Sequence, residues 1–433
     1  MAALAFLSSA SCLQIKPSPL DSSENPLVVL VAAAVNNAGR DTWSVINNPT
    51  SGTDEIYDIA LDGDDLFIAG SDSTPGNQQW RIEKRSATTG ELDPAFGNNG
   101  VVTYNPSVAD EAVSSIYLSP SHLFVVGSDE SPGDPQLHIQ KRSRSTGALD
   151  PGFGTAGIIT SNVGGINDTL VKITGDGTYI YVAGIDNDGG GMGAGGRLEK
   201  RLMSDGSLVG AFDGDGVVQS DPTANFDNFT DVLLDGGFLY VCGGRFAGGS
   251  TAWWIEKRSA TDASLAGAFN AGGELIINPS AASGERIERS GCLINGSSLF
   301  LAGVDEAPGN RQWHLEKRDS TTAALDAGFG TSGVILENHT SGTDNITWIG
   351  ADGPSLLVAG DVSDGGAFTP WRLESRSLTT GALEWFVSGT PGYDTDLRAN
   401  ATDGAYIFLG IGTDEFGDRG WRIERRRLSD GRL

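Results

Sequence analysis

The sequence is poor in cysteine and in basic residues, and each shortage excludes a class of protein. Its three cysteines, Cys12, Cys242 and Cys292, are too few for a disulfide framework and lack the spacing of a metal site. Lys and Arg number 29 against 56 Asp and Glu, which gives a net charge of −27. A chain this acidic repels polyanions, so neither nucleic acid nor an anionic membrane surface is a predicted partner.

The N-terminal region has no apolar run long enough to span a membrane. Leu27–Val35 contains only nine residues and Met1–Cys12 is also short, whereas a bilayer core is about 30 Å thick. We therefore predict no transmembrane segment and interpret residues 1–40 as an N-terminal extension. Three interpretations of this extension are open: a secretory signal, an extra strand that pairs with another subunit, or a segment of no consequence.

The chain is rich in glycine, with 61 residues, and it repeats. The segment Trp80–Arg85 has six further copies, whose last residues lie 50 to 60 positions apart. The seven copies end at Arg85, Arg142, Arg201, Arg258, Arg318, Arg376 and Arg426. Seven copies of so long a unit indicate a repeat architecture.

Each unit contains four short β-like runs. In the second unit, Ala112–Leu118 alternates apolar and polar residues, Leu123–Val126 is continuously apolar, and Leu137–Arg142 alternates again. Dipeptides such as Asp62-Gly63 join the first two runs and suit type I′ hairpins. Four strands per unit are typical of a propeller blade. The sequence therefore predicts an all-β fold, a seven-bladed β-propeller of four-stranded blades, over residues 41–433.

The phase of the repeat predicts how the ring closes. Trp43–Asn47 looks like a fourth strand with no first, second or third strand before it, and the chain ends just after a third strand, Trp421–Arg426. We therefore predict that the N-terminal strand pairs with the C-terminal blade, which removes two exposed sheet edges.

The segments between blades carry a recurring pattern. Leu92–Val101 reads LDPAFGNNGV, Leu149–Ile158 reads LDPGFGTAGI, and Phe329–Val334 reads FGTSGV. These segments resemble the signature of the bacterial delta-60 repeat family, and the order of strands is similar to that of NHL propellers. The resemblance covers residues 43–433. It implies a propeller on a secreted or surface protein and transfers no catalytic residue.

The third strand repeats side chains that we assign to packing rather than chemistry. A tryptophan begins this strand in five of the seven units, where packing between blades is a more common role than stacking on sugars. Arg81, Glu83 and Arg85 share one face, and we predict blade-to-blade or cross-strand ion pairs for Glu83, Arg85 and their copies. His138 and His314 occupy the position of Arg81, so we interpret them as repeat variants rather than bases.

Acidic residues recur at two further positions. One lies sixteen residues before the glycine that ends each second strand, and the other lies two residues after it. Because first and second strands are antiparallel, both positions fall at one end of each blade. The candidate ligand- or cation-binding residues are Asp54, Asp72, Glu111, Asp129, Asp168, Asp186, Asp227, Asp305, Asp344 and Asp394.

This acidic set has two interpretations. The carboxylates cap turns by accepting backbone N–H bonds, or they ring one mouth of the channel as a site for Ca²⁺, another hard cation or a cationic ligand. The same face carries long loops, such as Ser71–Gln79 and Gly244–Ala252. Variable loops on a rigid scaffold are common binding sites.

We therefore predict a non-catalytic, extracellular or cell-surface propeller that binds a protein or glycan at its acidic, loop-bearing face. Two alternatives are open. One is a propeller glycoside hydrolase or lyase that uses two channel carboxylates as acid and base. The other is a self-assembling surface protein that donates Leu27–Val35 as a strand. An enzyme requires a polar cluster that breaks the repeat symmetry, whereas the acidic set is repeated.

Overall fold

The computed structural model describes residues 41–433 except 51, 75, 131–134, 162–168, 187–193, 224, 226, 248, 280–284, 307–308, 364–368, 390–394 and 415–416. The extension of residues 1–40 and the candidates Asp168 and Asp394 lie outside the described residues. The strand-donation alternative therefore concerns a segment outside that range.

The described residues form 28 strands and one short 3₁₀ helix, Phe269–Ala271, and the strands pair into seven four-stranded antiparallel sheets. Blade 1 contains β2 (Glu55–Asp62), β3 (Asp65–Asp72), β4 (Gln79–Ser86) and β5 (Val101–Tyr104). Blade 2 contains β6 (Glu111–Leu118), β7 (His122–Asp129), β8 (Gln136–Ser143) and β9 (Ile158–Ser161). Blade 3 contains β10 (Thr169–Gly175), β11 (Tyr179–Asp186), β12 (Gly195–Leu202) and β13 (Val217–Ser220). Blade 4 contains β14 (Asn228–Asp235), β15 (Phe238–Ala247), β16 (Ser250–Ser259) and β17 (Glu274–Ile277).

The remaining three blades also contain four strands each. Blade 5 contains β18 (Arg286–Asn295), β19 (Ser298–Asp305), β20 (Gln312–Asp319) and β21 (Val334–Glu337). Blade 6 contains β22 (Asp344–Asp352), β23 (Ser355–Val362), β24 (Trp371–Ser377) and β25 (Leu383–Ser388). Blade 7 contains β26 (Thr395–Thr402), β27 (Tyr406–Thr413), β28 (Gly420–Arg427) and β1 (Trp43–Asn47). The prediction of a seven-bladed all-β propeller is confirmed.

Strand β1 forms the outer strand of blade 7. It pairs antiparallel with β28, and the register runs from Trp43 opposite Arg425 to Asn47 opposite Trp421. The two ends of the described chain therefore meet in one sheet.

The core lies between blades rather than within one of them. The cluster between blades 1 and 2, for example, joins Phe67 and Trp80 to Val113 and Val125. The five tryptophans that begin third strands are at most 3% exposed, which confirms their assignment to packing. A Cβ on Gly70 would lie 2.4 Å from the ring of Trp421, so the glycine that ends this second strand makes room for the tryptophan of the previous blade.

The first strands form the innermost layer. Each contacts the first strands of the neighbouring blades around the ring. All seven also show a register shift against their second strands, as between Ile56 and Asp58 in β2. A bulge of this kind re-aims the side chains beside it, so residues in the middle of first strands reach the channel.

A disulfide joins two neighbouring blades. Cys242 in β15 is bonded to Cys292 in β18, with Cα atoms 6.7 Å apart and a sequence separation of 50. Both residues lie in the apolar cluster between blades 4 and 5. The bond therefore links these blades covalently.

Removal of this disulfide should loosen that interface. Because a closed loop of this length restricts the unfolded chain, we expect Cys242→Ser with Cys292→Ser to lower the free energy of unfolding by about 2–4 kcal/mol. Urea unfolding under non-reducing conditions measures the change, and Cys12→Ser is the control that should match wild type. An unchanged midpoint in the double variant would contradict the prediction.

Candidate functional site

The acidic residues after the second strands pair with the third strands. Asp72 Oδ2 lies 3.1 Å from an Arg81 guanidinium nitrogen, and Asp186 Oδ2 lies 3.0 Å from that of Arg197. Where histidine replaces arginine, Asp129 lies 3.4 Å from His138 Nδ1. Asp305 similarly faces His314 at 3.9 Å, and all four carboxylates are buried.

In these four blades the pairs are the first members of a buried ladder along the third strand. Arg81 and Arg85 both donate through Nε to Glu83 at 2.7 Å, and Glu83 is fully buried. The ion pairs of Glu83 therefore run along one strand at i and i+2, not between strands or blades as the sequence pattern suggested, whereas the pair of Asp72 with Arg81 crosses from β3 to β4. The pair between Arg376 and Glu337 of the preceding blade, at 2.9 Å, is a blade-to-blade addition.

The last arginine of the ladder holds the turn that follows it. In all seven blades, this guanidinium donates to a carbonyl five residues ahead at 2.7–3.1 Å. The acceptors are Gly90, Gly147, Gly206, Ala263, Ala323, Gly381 and Gly431, and all have positive φ. The repeated Glu-Lys-Arg motif thus fixes the hairpin after each third strand.

The acidic residues before the first strands hold the loops in place. Asp54 accepts hydrogen bonds from the Thr50 hydroxyl at 2.8 Å and from the Ser73 N–H at 3.1 Å. Asp227 accepts the equivalent bonds from Thr223 and from the Phe246 N–H. Asp344 accepts three bonds from His339 and Thr340. These contacts match the turn-capping interpretation.

Glu111 is the candidate with a strongly perturbed carboxyl. Its side chain is buried and accepts one bond from the Ser107 hydroxyl at 2.9 Å. Burial, together with the charges of Asp129, Asp110 and Glu130, raises the pKa of Glu111 from 4.5 to about 7.

The raised pKa of Glu111 predicts a pH-dependent stability. The folded state binds this proton more tightly than the unfolded state, so the contribution of Glu111 falls as pH rises from about 4.5 to about 7. We expect Glu111→Gln to match wild type at pH 5 and to be more stable by about 2 kcal/mol at pH 8. Thermal unfolding at both pH values measures this, and a difference that does not change with pH would contradict it.

Each of the eight described acidic candidates already contacts a partner within the protein. None of them lines the channel cavity described below. Among the described residues, no group of three or more His, Cys, Asp or Glu side chains is placed to hold a metal ion. The Ca²⁺ site therefore stays a prediction without a ligand set in the part of the chain that the structure describes.

A cavity of about 550 Å³ occupies the channel instead. Six of the seven first strands contribute to its lining, together with Asp361 of β23. Arg286, Asn345 and Asp396 stand at or near the start of their strands, so the cavity extends toward the loop-bearing end. The charged lining residues are Asp58, Asp361, Asp396, Lys172, Arg286 and Arg398, three of each sign.

Two aspartates beside the bulges join first strands of neighbouring blades. Asp58 Oδ2 accepts the Ile116 N–H of blade 2 at 2.9 Å. Asp231 Oδ2 accepts the Cys292 N–H of blade 5 at 3.4 Å. Burial raises the pKa of Asp231 to about 6, while the charge of Lys172 opposes the rise. These carboxylates hold the inner ring together.

Lys172 reaches across the channel. It belongs to blade 3, yet its Nζ donates to Ser290 Oγ of blade 5 at 3.0 Å and lies 3.8 Å from Asp58 Oδ2 of blade 1. No two of these blades are adjacent in the ring. This contact breaks the sevenfold repeat inside the cavity.

A second charged cluster lies on the blade 7 side. Arg398 Nε donates to Asp396, and its guanidinium lies 3.4 Å from Glu55 Oε2 of blade 1. Burial opposes the charged form, but Asp396 and Glu55 raise the pKa of Arg398 above its ordinary value. Arg419 also binds both carboxylates. The cations of this cluster are thus compensated within the protein.

The cavity residues are absent from the candidates predicted from the sequence, although the repeat contains a signal for them. The position twelve residues before the glycine that ends each second strand is occupied by Asp58, Ser115, Lys172, Asp231, Gly291, Trp348 and Arg398. Four of the seven, Asp58, Lys172, Trp348 and Arg398, line the cavity.

No helix among the described residues combines the length and apolarity needed to cross a membrane. No protein-family model and no curated protein matches the chain. The WD40 β-propeller domain of Doa1 is similar at 8% identity, with TM-score 0.46 over 88% of this chain and 95% of that chain. The β-propeller domain of the Trilobed protease from Pyrococcus furiosus is similar at 7% identity, with TM-score 0.45 over 88% and 96%.

An enzyme structure is also similar. A structure from an analysis of two prolyl endopeptidases has 12% identity and TM-score 0.49, and the match covers 87% of this chain and 50% of that chain. At these identities the likeness concerns the propeller fold alone, and no argument about function rests on it.

Proposed function

We propose that this protein is a non-catalytic, extracellular binding propeller that takes its ligand at the loop-bearing face, where the channel cavity lies. The observation that carries the proposal is the symmetry-breaking cavity at that end of an otherwise repeated ring. The carboxylates predicted to form an acidic mouth are engaged in capping and in the ladder, so we assign recognition to the cavity and the loops around it.

The contacts of two cavity aspartates favour binding over acid–base catalysis. Asp58 and Asp396, which line the cavity, are already held by donors of the protein: a backbone N–H for Asp58 and two arginines for Asp396. A general acid or base needs a lone pair or proton directed at the substrate. We therefore rank the glycosidase or lyase function second.

The extracellular location rests on the disulfide and on the resemblance to delta-60 repeats. Cys242–Cys292 is an inter-blade bond, and structural disulfides persist in oxidising compartments. The balance of seven lysines against 22 arginines, with abundant aspartate, also suits a saline or extracellular setting.

The experiment determines which face of the propeller binds the ligand and whether a bound ligand is converted to a product. An array of neutral and acidic glycans and purified secreted proteins is probed with the propeller, and every bound ligand is examined for products. In a Cys12→Ser background, Thr74→Cys on the loop-bearing face and Thr178→Cys on the opposite face are coupled to a polyethylene-glycol maleimide. Both residues are exposed.

We expect the propeller to bind a ligand on the array without forming a product. Binding should be lost when Thr74→Cys carries the polymer and should be kept when Thr178→Cys carries it. Loss from the opposite-face variant alone would contradict the assigned face. Turnover that disappears in Asp58→Asn or Asp396→Asn would show that the protein is an enzyme.

A further inference from the structure

We propose that the channel cavity binds one or two residues of a neutral sugar chain, with the amide of Asn400 and the ring of Trp348 as the recognising groups. This inference rests on the proposed function and names the ligand class of the same face.

The charges of the cavity argue for a neutral ligand. Positive and negative lining residues are equal in number, and the pairs that Lys172 and Arg398 form are made within the protein. A charged ligand would have to displace one of these partners and leave it uncompensated, which is costly in a semi-enclosed site. A neutral ligand rich in hydroxyl groups avoids that cost.

Asn400 supplies the first recognising group. It lines the cavity from β26, is 9% exposed, and neither its Oδ1 nor its Nδ2 has a hydrogen-bond partner among the described residues. An unsatisfied buried donor or acceptor costs about 1–3 kcal/mol. Two sugar hydroxyls would satisfy both the Oδ1 and the Nδ2 of Asn400, because a hydroxyl can donate and accept a hydrogen bond.

Trp348 supplies the second group. It lines the cavity at the position after the bulge of β22, and it is only partly buried. A Cβ on Gly350 would lie 2.1 Å from the Trp348 ring, so the ring lies against this glycine, and packing against the apolar cluster of blades 6 and 7 fixes it. A fixed, partly exposed aromatic face offers an apolar platform to the C–H face of a sugar.

The remaining lining agrees with a sugar. Asn345, Thr347 and Ser114 add amide and hydroxyl groups to the lining, and such groups can exchange hydrogen bonds with sugar hydroxyls. A volume of about 550 Å³ is within the range of small-molecule sites and too small for a folded partner. The ligand is therefore the end, or a short segment, of a neutral glycan.

Calorimetry with neutral di- and trisaccharides built from hexose and N-acetylhexosamine tests the inference. The uronic-acid form of the same disaccharide is the charge control. The key variant is Asn400→Leu, which removes the unsatisfied amide at similar volume. Trp348→Leu is matched by Trp385→Leu, because Trp385 packs against the same apolar cluster but is not a cavity residue.

We expect at least one neutral saccharide to bind, with at least tenfold weaker binding in Asn400→Leu and in Trp348→Leu and unchanged binding in Trp385→Leu. Asn400→Leu should melt at or above the wild-type temperature, because it loses an unsatisfied amide rather than a structural contact. A purely structural role for Asn400 would instead lower the melting temperature.

Three results would overturn the inference. They are no binding of any neutral saccharide, tighter binding of the uronic-acid form, or full binding by both cavity variants. Failure of the proposed function is recognised separately: blocking the loop-bearing face through Thr74→Cys would then leave ligand retention on the array intact. Full saccharide binding by the cavity variants, combined with loss on blocking, would move the site from the cavity to the loops.

Discussion

Glu83→Gln should destabilise the propeller by about 3–5 kcal/mol, because it leaves two buried guanidinium groups without their shared carboxylate. Burial alone would favour the neutral acid, yet the charges of Arg85 and Arg81 hold the pKa of Glu83 below its ordinary value. The side chains of Arg81 and Arg85 are 12% and 7% exposed, so water replaces little of the lost interaction. Denaturant and thermal unfolding measure the loss.

Blade 2 shows how the protein itself tolerates glutamine at this position. His138 replaces the first arginine there, Gln140 replaces the glutamate, and Arg142 donates to Gln140 Oε1 at 2.7 Å. Burial lowers the pKa of His138, which favours the neutral ring. Burial also lowers the pKa of Arg142 to about 10, as expected for a guanidinium without its carboxylate.

The blade 2 arrangement supplies the matched control for Glu83→Gln. Arg81→His with Glu83→Gln copies it into blade 1 and removes one of the two guanidinium groups that shared the Glu83 carboxylate. We expect the double variant to recover at least half of the stability lost by Glu83→Gln, a coupling that a double-mutant cycle measures. If Glu83→Gln alone costs less than about 1 kcal/mol, the ladder is not a buried, compensated network.

The sequence predicts the strands of the blades and their buried tryptophans, but it does not predict how the ion pairs of the third strands are arranged. Strand number, blade number and the burial of Trp80 and its copies follow from periodicity, which sevenfold repetition reinforces. The direction of the ion pairs does not follow, because facing side chains in a strand can pair along it or across it. In the structure, the i, i+2 spacing of Arg81, Glu83 and Arg85 brings each guanidinium to the carboxylate within one strand.

The cavity was harder to predict for a geometric reason. Residues such as Lys172 and Trp348 follow a bulge, which changes the face a side chain occupies. After a bulge, the alternation of residues along the strand no longer predicts which side chains face the channel. The bond between Cys242 and Cys292 likewise forms because the second strand of blade 4 lies close to the first strand of blade 5. The number of cysteines in the sequence does not predict this proximity.

The second large effect is expected where the ring closes. Trp43 of β1 is 1% exposed, donates through Nε1 to the Ala87 carbonyl of blade 1 at 2.9 Å, and packs beside Phe408 of blade 7. It therefore fills the space between the last blade and the first. We expect Trp43→Ala to cost about 3–5 kcal/mol, the range for deleting a buried aromatic side chain.

Trp385→Ala is the control for Trp43→Ala, because Trp385 also belongs to a fourth strand but is only partly buried. Its loss should cost less and stay local to the interface of blades 6 and 7, where Trp385 packs. Trp43→Ala should additionally raise amide hydrogen exchange in β28 and β2, which flank the closure, since exchange reports local opening. Equal costs for the two variants, with no added exchange at the closure, would show that pairing of β1 with β28 does not fasten the ring.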